Sequence, residues 1–202
     1  MTTHQDVPEE PPRRVGRPRS EHADQAIIEA ALDLFAGSGP DGLCIEQVAA
    51  RAGVGKATVY RRWPGKEDLL IDAFTAIEEP LPEPRGVSVQ DDLAALIDAM
   101  RIESGDPRRV RQLALLLGEG ANYPRLLNHY VRTVVEPRRA AVRAVLQRGV
   151  ATGELREGTN VDAAVDLLTG AVLARSRFGR ERVERGYARR VVDELLTGLA
   201  SR

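Results

Sequence analysis

One cysteine, Cys44, serves a chain of 202 residues. An internal disulfide needs two, and a structural zinc site draws about four ligands from Cys and His, so neither is expected. The three histidines, His4, His22 and His129, lie far apart, and no metal-ligand spacing, glycine-rich phosphate loop or nucleophile elbow occurs. An enzyme is therefore not expected, and no catalytic residue, cofactor or metal is assigned. Long apolar runs are missing too. No stretch of 18 apolar residues exists, and Met1 to Pro12 is polar and acidic where a signal peptide begins basic and continues apolar. The expectation is a soluble cytoplasmic protein. Aromatic residues make up only 4% and lysine supplies two of 29 basic residues, Lys56 and Lys66, with arginine the rest.

What is present is 43% hydrophobic content, enough for one large or two small packed domains. The formal charge of -1 argues against a basic nucleic-acid binder if taken as a bulk figure. By segment it does not. Residues 13–66 hold nine basic and six acidic side chains, 67–107 hold two and eleven, and 108–202 hold eighteen and ten. A basic front, an acidic connector and an arginine-rich remainder cancel in the sum.

Between dense proline and glycine marks the periodicity is helical throughout. Ile27, Ala31, Leu34 and Phe35 form an amphipathic stripe within a helix from Asp24 to Ala36, closed by Gly37 to Gly42. Short helices follow at Ile45 to Ala52 and from the Gly53–Gly55 turn through Trp63, then another at Lys66 to Glu78. The segment PLPEPRG, Pro80 to Gly86, reads as a linker. Beyond it, Val89, Leu93, Leu96, Ile97 and Met100 mark a helix broken at Gly105–Pro107, and the next runs to about Leu117. A long helix from Arg125 to Val150 is expected to kink at Pro137. The last two helices, about Val161 to Arg175 and Arg182 to Leu199, are apolar on more than one face. Such helices need two partners, one of which can be a second copy. Val165, Leu168, Val172, Val191 and Leu195 are the expected dimer contacts.

The run GLCIEQVAARAGVGKATVYRRWPGKEDLL, Gly42 to Leu70, has the plan of a helix-turn-helix, two short helices whose second enters the DNA major groove. On a wheel turning about 100° per residue, Val59 and Trp63 share one side while Ala57 and Arg61 face the other. Ile45, Val48, Val54, Val59 and Trp63 are thus expected to form the motif's core. Ala57 permits close approach to a base edge or a thymine methyl, and Arg61 can donate two bonds to guanine. Thr58 and Tyr60 carry hydroxyls that reach phosphate, and Lys56 and Lys66 put ammonium groups at helix starts, which already favour anions.

The turn and recognition run AGVGKATVYRRW, Ala52 to Trp63, followed by PGKEDLL with Lys66, resembles the DNA-binding domain of the TetR family of bacterial transcriptional regulators over roughly 24–78. The run RGVATGELREG, Arg148 to Gly158, with its following apolar helix looks like that family's C-terminal domain. The resemblance implies an all-α homodimer: an N-terminal three-helix helix-turn-helix DNA-binding domain and a larger helical domain for effector binding and dimerisation. In such proteins residues matching Lys56, Ala57, Thr58, Tyr60, Arg61 and Lys66 contact DNA. The chain departs from the pattern at Cys44, where Ser or Thr caps the following helix with an acid or amide three residues on, here Gln47. Cysteine is a weaker acceptor, so the cap is expected to be weak, and the thiol to be buried and structural. Gly55 likewise replaces a frequent Ser, removing a hydroxyl.

The run RRVGRPR, Arg13 to Arg19, reads as an arm whose Arg17 and Arg19 lie along the minor groove, against a plain solubilising tail. The expected organisation is an arm at 1–20, a DNA-binding domain at 21–79 and a ligand-binding and dimerisation domain at 80–202. The expected function is repression from a palindromic double-stranded operator, relieved by a small-molecule effector. Two alternatives are a dimeric DNA-binding protein without effector and a helical enzyme. No sequence pattern marks the effector or its pocket residues.

Overall fold

The computed structural model describes residues 21–104, 106–178, 184 and 186–199, and among them the chain is helical with no β-strand. The elements are α1 (Glu21–Gly42), α2 (Ile45–Arg51), α3 (Lys56–Tyr60), α4 (Lys66–Ala76), α5 (Val89–Ser104), α6 (Pro107–Gly118), α7 (Pro124–Tyr130), a π turn (Val131–Val135), α8 (Glu136–Thr152), α9 (Val161–Phe178) and α10 (Tyr187–Leu199). No described helix is long and apolar enough to cross a membrane.

α1 outruns the expected stop at Gly37. Gly39 takes φ 69°, a left-handed conformation that breaks the helix, and a further turn carries Pro40 to Gly42. The long helix expected over Arg125–Val150 runs helically from Pro124 to Thr152, and the irregularity expected at Pro137 is the π turn just ahead of it. Proline has no N–H to offer Thr133 four residues back and its ring crowds that carbonyl, so the turn widens ahead of it. α10 begins at Tyr187 rather than Arg182, a residue outside those described.

Two apolar clusters organise the packing. The first joins α1, α2, α3 and α4 to side chains from further along the chain, Leu116 of α6, Leu126 and Tyr130 of α7 and Val134 of the π turn. Scarce as aromatics are, three line up here: Phe35 of α1 meets Phe74 of α4 edge to face at 5.2 Å, and Phe74 meets Tyr130 at 6.2 Å. The second cluster joins α5, α8, α9 and α10, with the expected α5 stripe of Val89, Leu93, Leu96, Ile97 and Met100 buried in it. Gly149 lets α8 press against this layer, since a Cβ there would stand 2.8 Å from Val89 Cγ2 and 2.9 Å from Leu155 Cδ1.

Polar contacts tie the proline-rich linker down. The buried Asp92 carboxylate accepts from the backbone N–H of Arg85 at 2.7 Å and of Gly86 at 2.9 Å, and Arg148 Nη2 of α8 donates to it at 2.6 Å. Burial alone pushes the Asp92 carboxyl up, but the Arg148 hydrogen bond and the two backbone donors outweigh it and leave it below the usual carboxylate range.

Candidate nucleic-acid interface

The candidate reading surface is carried by the short helices α2 and α3. Cys44 is the N-cap of α2, and Gly53, at φ 66°, makes the turn that lets Gly55 cap α3. Beneath the surface Ile45, Val48, Val59 and Trp63 are buried and Val54 packs at the cluster's edge. Trp63 lies just past α3, its backbone N–H bonded to Val59 O at 3.0 Å, and its Nε1 donates to Asp72 Oδ2 of α4 at 2.8 Å. That bond fixes α3 against α4.

On the opposite side Lys56, Ala57, Tyr60 and Arg61 are exposed and Thr58 is half-buried. The cations there differ in how they are held. Arg51 of α2 bonds Asp33 of α1 at 2.9 Å, Arg62 pairs with Asp24 of α1, and Lys56 pairs with Glu46 of α2. The Lys56 hydrogen bond holds the Glu46 carboxyl low, and Glu46 in turn raises the Lys56 ammonium. Both are exposed, where such a pair is weak and its lysine can exchange the carboxylate for another anion. Arg61 has no ion-pair partner among the described residues, so its guanidinium fork is available at the exposed end of α3.

Lys66 sits differently from the other candidates. At the start of α4, half-buried, it donates from Nζ to Pro40 O at 2.8 Å and lies 5.4 Å over the Tyr123 ring. The Tyr123 hydroxyl bonds Asp41, and that carboxylate raises the phenol. Lys66 thus stitches α1, α4 and the α6–α7 connection, a role its position beside Gly65 did not reveal. Arg17 and Arg19 lie outside the described residues.

The expected buried thiol is corrected: Cys44 is exposed and makes no side-chain cap hydrogen bond. A serine hydroxyl at that position reaches the free N–H groups of the first turn. Cys44→Ser is expected to add about 0.5 to 1 kcal/mol, raising the melting temperature by about 2 °C in a chain of this size, as read by thermal denaturation.

The expected dimer residues mostly turn inward. Val165, Leu168 and Val172 are buried in the chain's own second cluster, and Val191 and Leu195 are half-buried against it. Among the described residues, the large apolar side chains that α9 exposes include Leu167, 60% exposed, and Leu173, with Gly170 opening onto free space between them. Two apolar stripes on one helix look alike in a sequence, and only packing tells which is the chain's own.

A cavity of about 440 Å³ lies among α5, α6, α7, the π turn, α8 and α9. Met100, Leu113, Leu117, Val135 and Val172 supply its apolar wall, and Arg138, Arg139, Asp166 and Thr169 its polar one. No sequence signal marks these residues as a set. The single local hint was Pro137, whose π turn forms part of the wall, as such turns often do at functional sites. Next to the cavity, Arg138 Nη2 bonds Glu78 Oε2 at 2.5 Å and Arg109 Nη2 donates to Ile77 O at 2.6 Å, so α8 and α6 both hold the end of α4.

Two family models match the chain. Bacterial regulatory proteins, tetR family, covers residues 27–73, and the tetracyclin repressor-like C-terminal domain covers 83–195. An uncharacterised HTH-type transcriptional regulator of Bacillus subtilis, YdeS, is 32% identical over 91% of this chain and 93% of its own length. Among solved structures, the TetR family transcription regulator SCO0332 is 30% identical with a TM-score of 0.62, covering 90% of this chain and 100% of that one. The fatty acid degradation regulator FadR of Bacillus halodurans shares the fold at TM-score 0.70 and 18% identity, covering 92% and 100%.

Proposed function

We propose that this chain, which belongs to the tetR family of bacterial transcriptional regulators, represses transcription from a palindromic operator and releases it when a small molecule fills the cavity between α5 and α9. In this reading residues 21–79 read DNA, residues 80–202 carry the cavity and the dimer face, and residues 1–20 are an arm bearing Arg17 and Arg19. The observation that carries it is the outward side of α3, where a small residue, Ala57, stands beside the exposed Arg61, which has no ion-pair partner among the described residues, on a helix anchored from behind by Val59 and Trp63. Two copies joined through α9 and α10 set two such helices into successive major-groove faces, with half-sites one helical turn or a multiple apart. Lys56, Thr58 and Tyr60 then take phosphates, Lys56 exchanging Glu46 for one, and Lys66 adds charge from the base of α4. The cavity favours an effector-responsive protein over a DNA-binding dimer without one, and the repressor-like description of the matched C-terminal model points the same way.

Selection from genomic fragments supplies the operator. On it, Arg61→Ala is expected to cost about 1 to 3 kcal/mol and to relax preference at one base position, whereas Lys56→Ala weakens all sequences alike and flattens the salt dependence. The check is fluorescence anisotropy on operator and random duplexes across a salt series. Equal losses on both duplexes for Arg61→Ala would refute the base-reading role.

A further inference from the structure

We infer that Asp24 and Asp72 are positioning residues for base reading, a clamp on the end of α3 that sets where the Arg61 guanidinium stands. The inference rests on the reading of α3 as the DNA-reading helix and adds the two residues that aim it. Arg61 is followed directly by Arg62 and Trp63, and each of these neighbours is bonded to a carboxylate on a different helix. Arg62 pairs with Asp24 of α1, and Trp63 Nε1 donates to Asp72 Oδ2 of α4 at 2.8 Å. Both helices are packed into the same apolar cluster as Val59, so the two acceptors stand on a fixed base.

Other contacts give α3 little direction. The helix has five residues, Gly55 caps it without a side-chain hydrogen bond, and the Lys56–Glu46 pair at its start is exposed. Val59 and the Trp63 ring hold it by apolar contact, which has no preferred angle. On one side even that support is thin, because Arg62, Trp63 and Asp72 border an open cleft of about 530 Å³ between the end of α3 and α7. A side chain beside open space can tilt unless a directional bond stops it. Bonds to charged acceptors are the stronger and shorter kind. Two of them, drawn from adjacent residues toward α1 and α4, leave the end of α3 one orientation. Arg61 needs that orientation more than its neighbours do. Its fork must meet guanine O6 and N7 together, whereas a lysine reaching for phosphate acts as a point charge and tolerates a small rotation.

The test compares two substitutions of equal charge at each position in the full chain. Asn keeps an oxygen acceptor where Ala removes it, so D72N against D72A, and D24N against D24A, separates the bond from the loss of negative charge near DNA. The readout is the ratio of affinities for the selected operator and a random duplex, by fluorescence anisotropy. A merely structural role lowers binding to both duplexes alike and leaves the ratio unchanged. D24A and D72A are each expected to lower the ratio about threefold and D24A/D72A about tenfold, within what one bidentate arginine contact supplies, while D24N and D72N stay within about twofold of wild type. In an R61A background the alanine changes add nothing to the fall that R61A causes, because they act through that side chain. Trp63 is the chain's one tryptophan, so its indole N–H gives a single NMR resonance, expected to shift in D72A and to hold in D72N. An unchanged ratio in D24A/D72A with the indole resonance shifted, an equal fall for Asn and Ala, or a further fall in the R61A background would each overturn the inference while leaving α3 as the reading helix. An R61A ratio equal to that of wild type removes base reading by Arg61, and the inference with it.

Discussion

Trp63→Ala is expected to lower the stability of the chain by about 3 to 5 kcal/mol and to take DNA binding with it. The indole is 6% exposed and sits where α3 ends, packed among side chains of α1, α3 and α4. Truncation opens a cavity beneath the five-residue α3, which is too short to hold its shape without tertiary support. It also strips Asp72 of the Nε1 donor. Urea denaturation checks the magnitude. Trp63→Phe separates the two contributions, because it keeps most of the apolar volume and loses the hydrogen bond, with an expected cost nearer 1 to 2 kcal/mol.

The second large effect lies far from the reading surface. Asp92→Ala is expected to cost about 3 kcal/mol, since it leaves Arg148 and two backbone N–H groups without their acceptor in a sheltered place. Here pH gives an independent check. The folded-state carboxyl is depressed below its unfolded value, so its contribution is fully present above the unfolded pKa and is lost as pH falls through the folded one. The stability gap between wild type and Asp92→Ala is therefore constant near neutrality and shrinks once the pH drops below about 3.9. A gap that stays the same into that acid range would show that the carboxylate charge is not what holds the linker.

Much of this fold is legible in the sequence, for local reasons. Three prolines in PLPEPRG cannot sit in a helix, the Gly53–Gly55 turn has few alternatives, and the wheel around Val59 separates buried Trp63 from exposed Arg61 because four residues span little more than one turn. The less legible features depend on how distant helices are rotated against one another. Lys66 bonds a carbonyl 26 residues away, and Val165 and Leu168 pack on α5 and α8 rather than outward. The cavity collects side chains from residue 100 to residue 173. The end of α1 was legible in part: the Gly37–Gly42 stretch reads as a stop and Gly39 does break the helix, but one further helical turn follows the break. Cys44 was expected inside because cysteine usually is, yet an N-cap at the surface fixes where that side chain stands.

The sharing of the first apolar cluster has a consequence for how operator preference changes among relatives. Leu116, Leu126, Tyr130 and Val134 lie beyond the proline-rich linker, yet they complete the core under α1 and α4. A segment ending at that linker would expose this interface to water, so the DNA-reading part is a functional unit without being a separable folding unit. Transplanting it onto a foreign body would demand a matched α6 and α7 as well. If α3 reads DNA as proposed, point changes at positions such as 57 and 61 alter specificity without disturbing the shared core, because both residues are exposed and lie outside it.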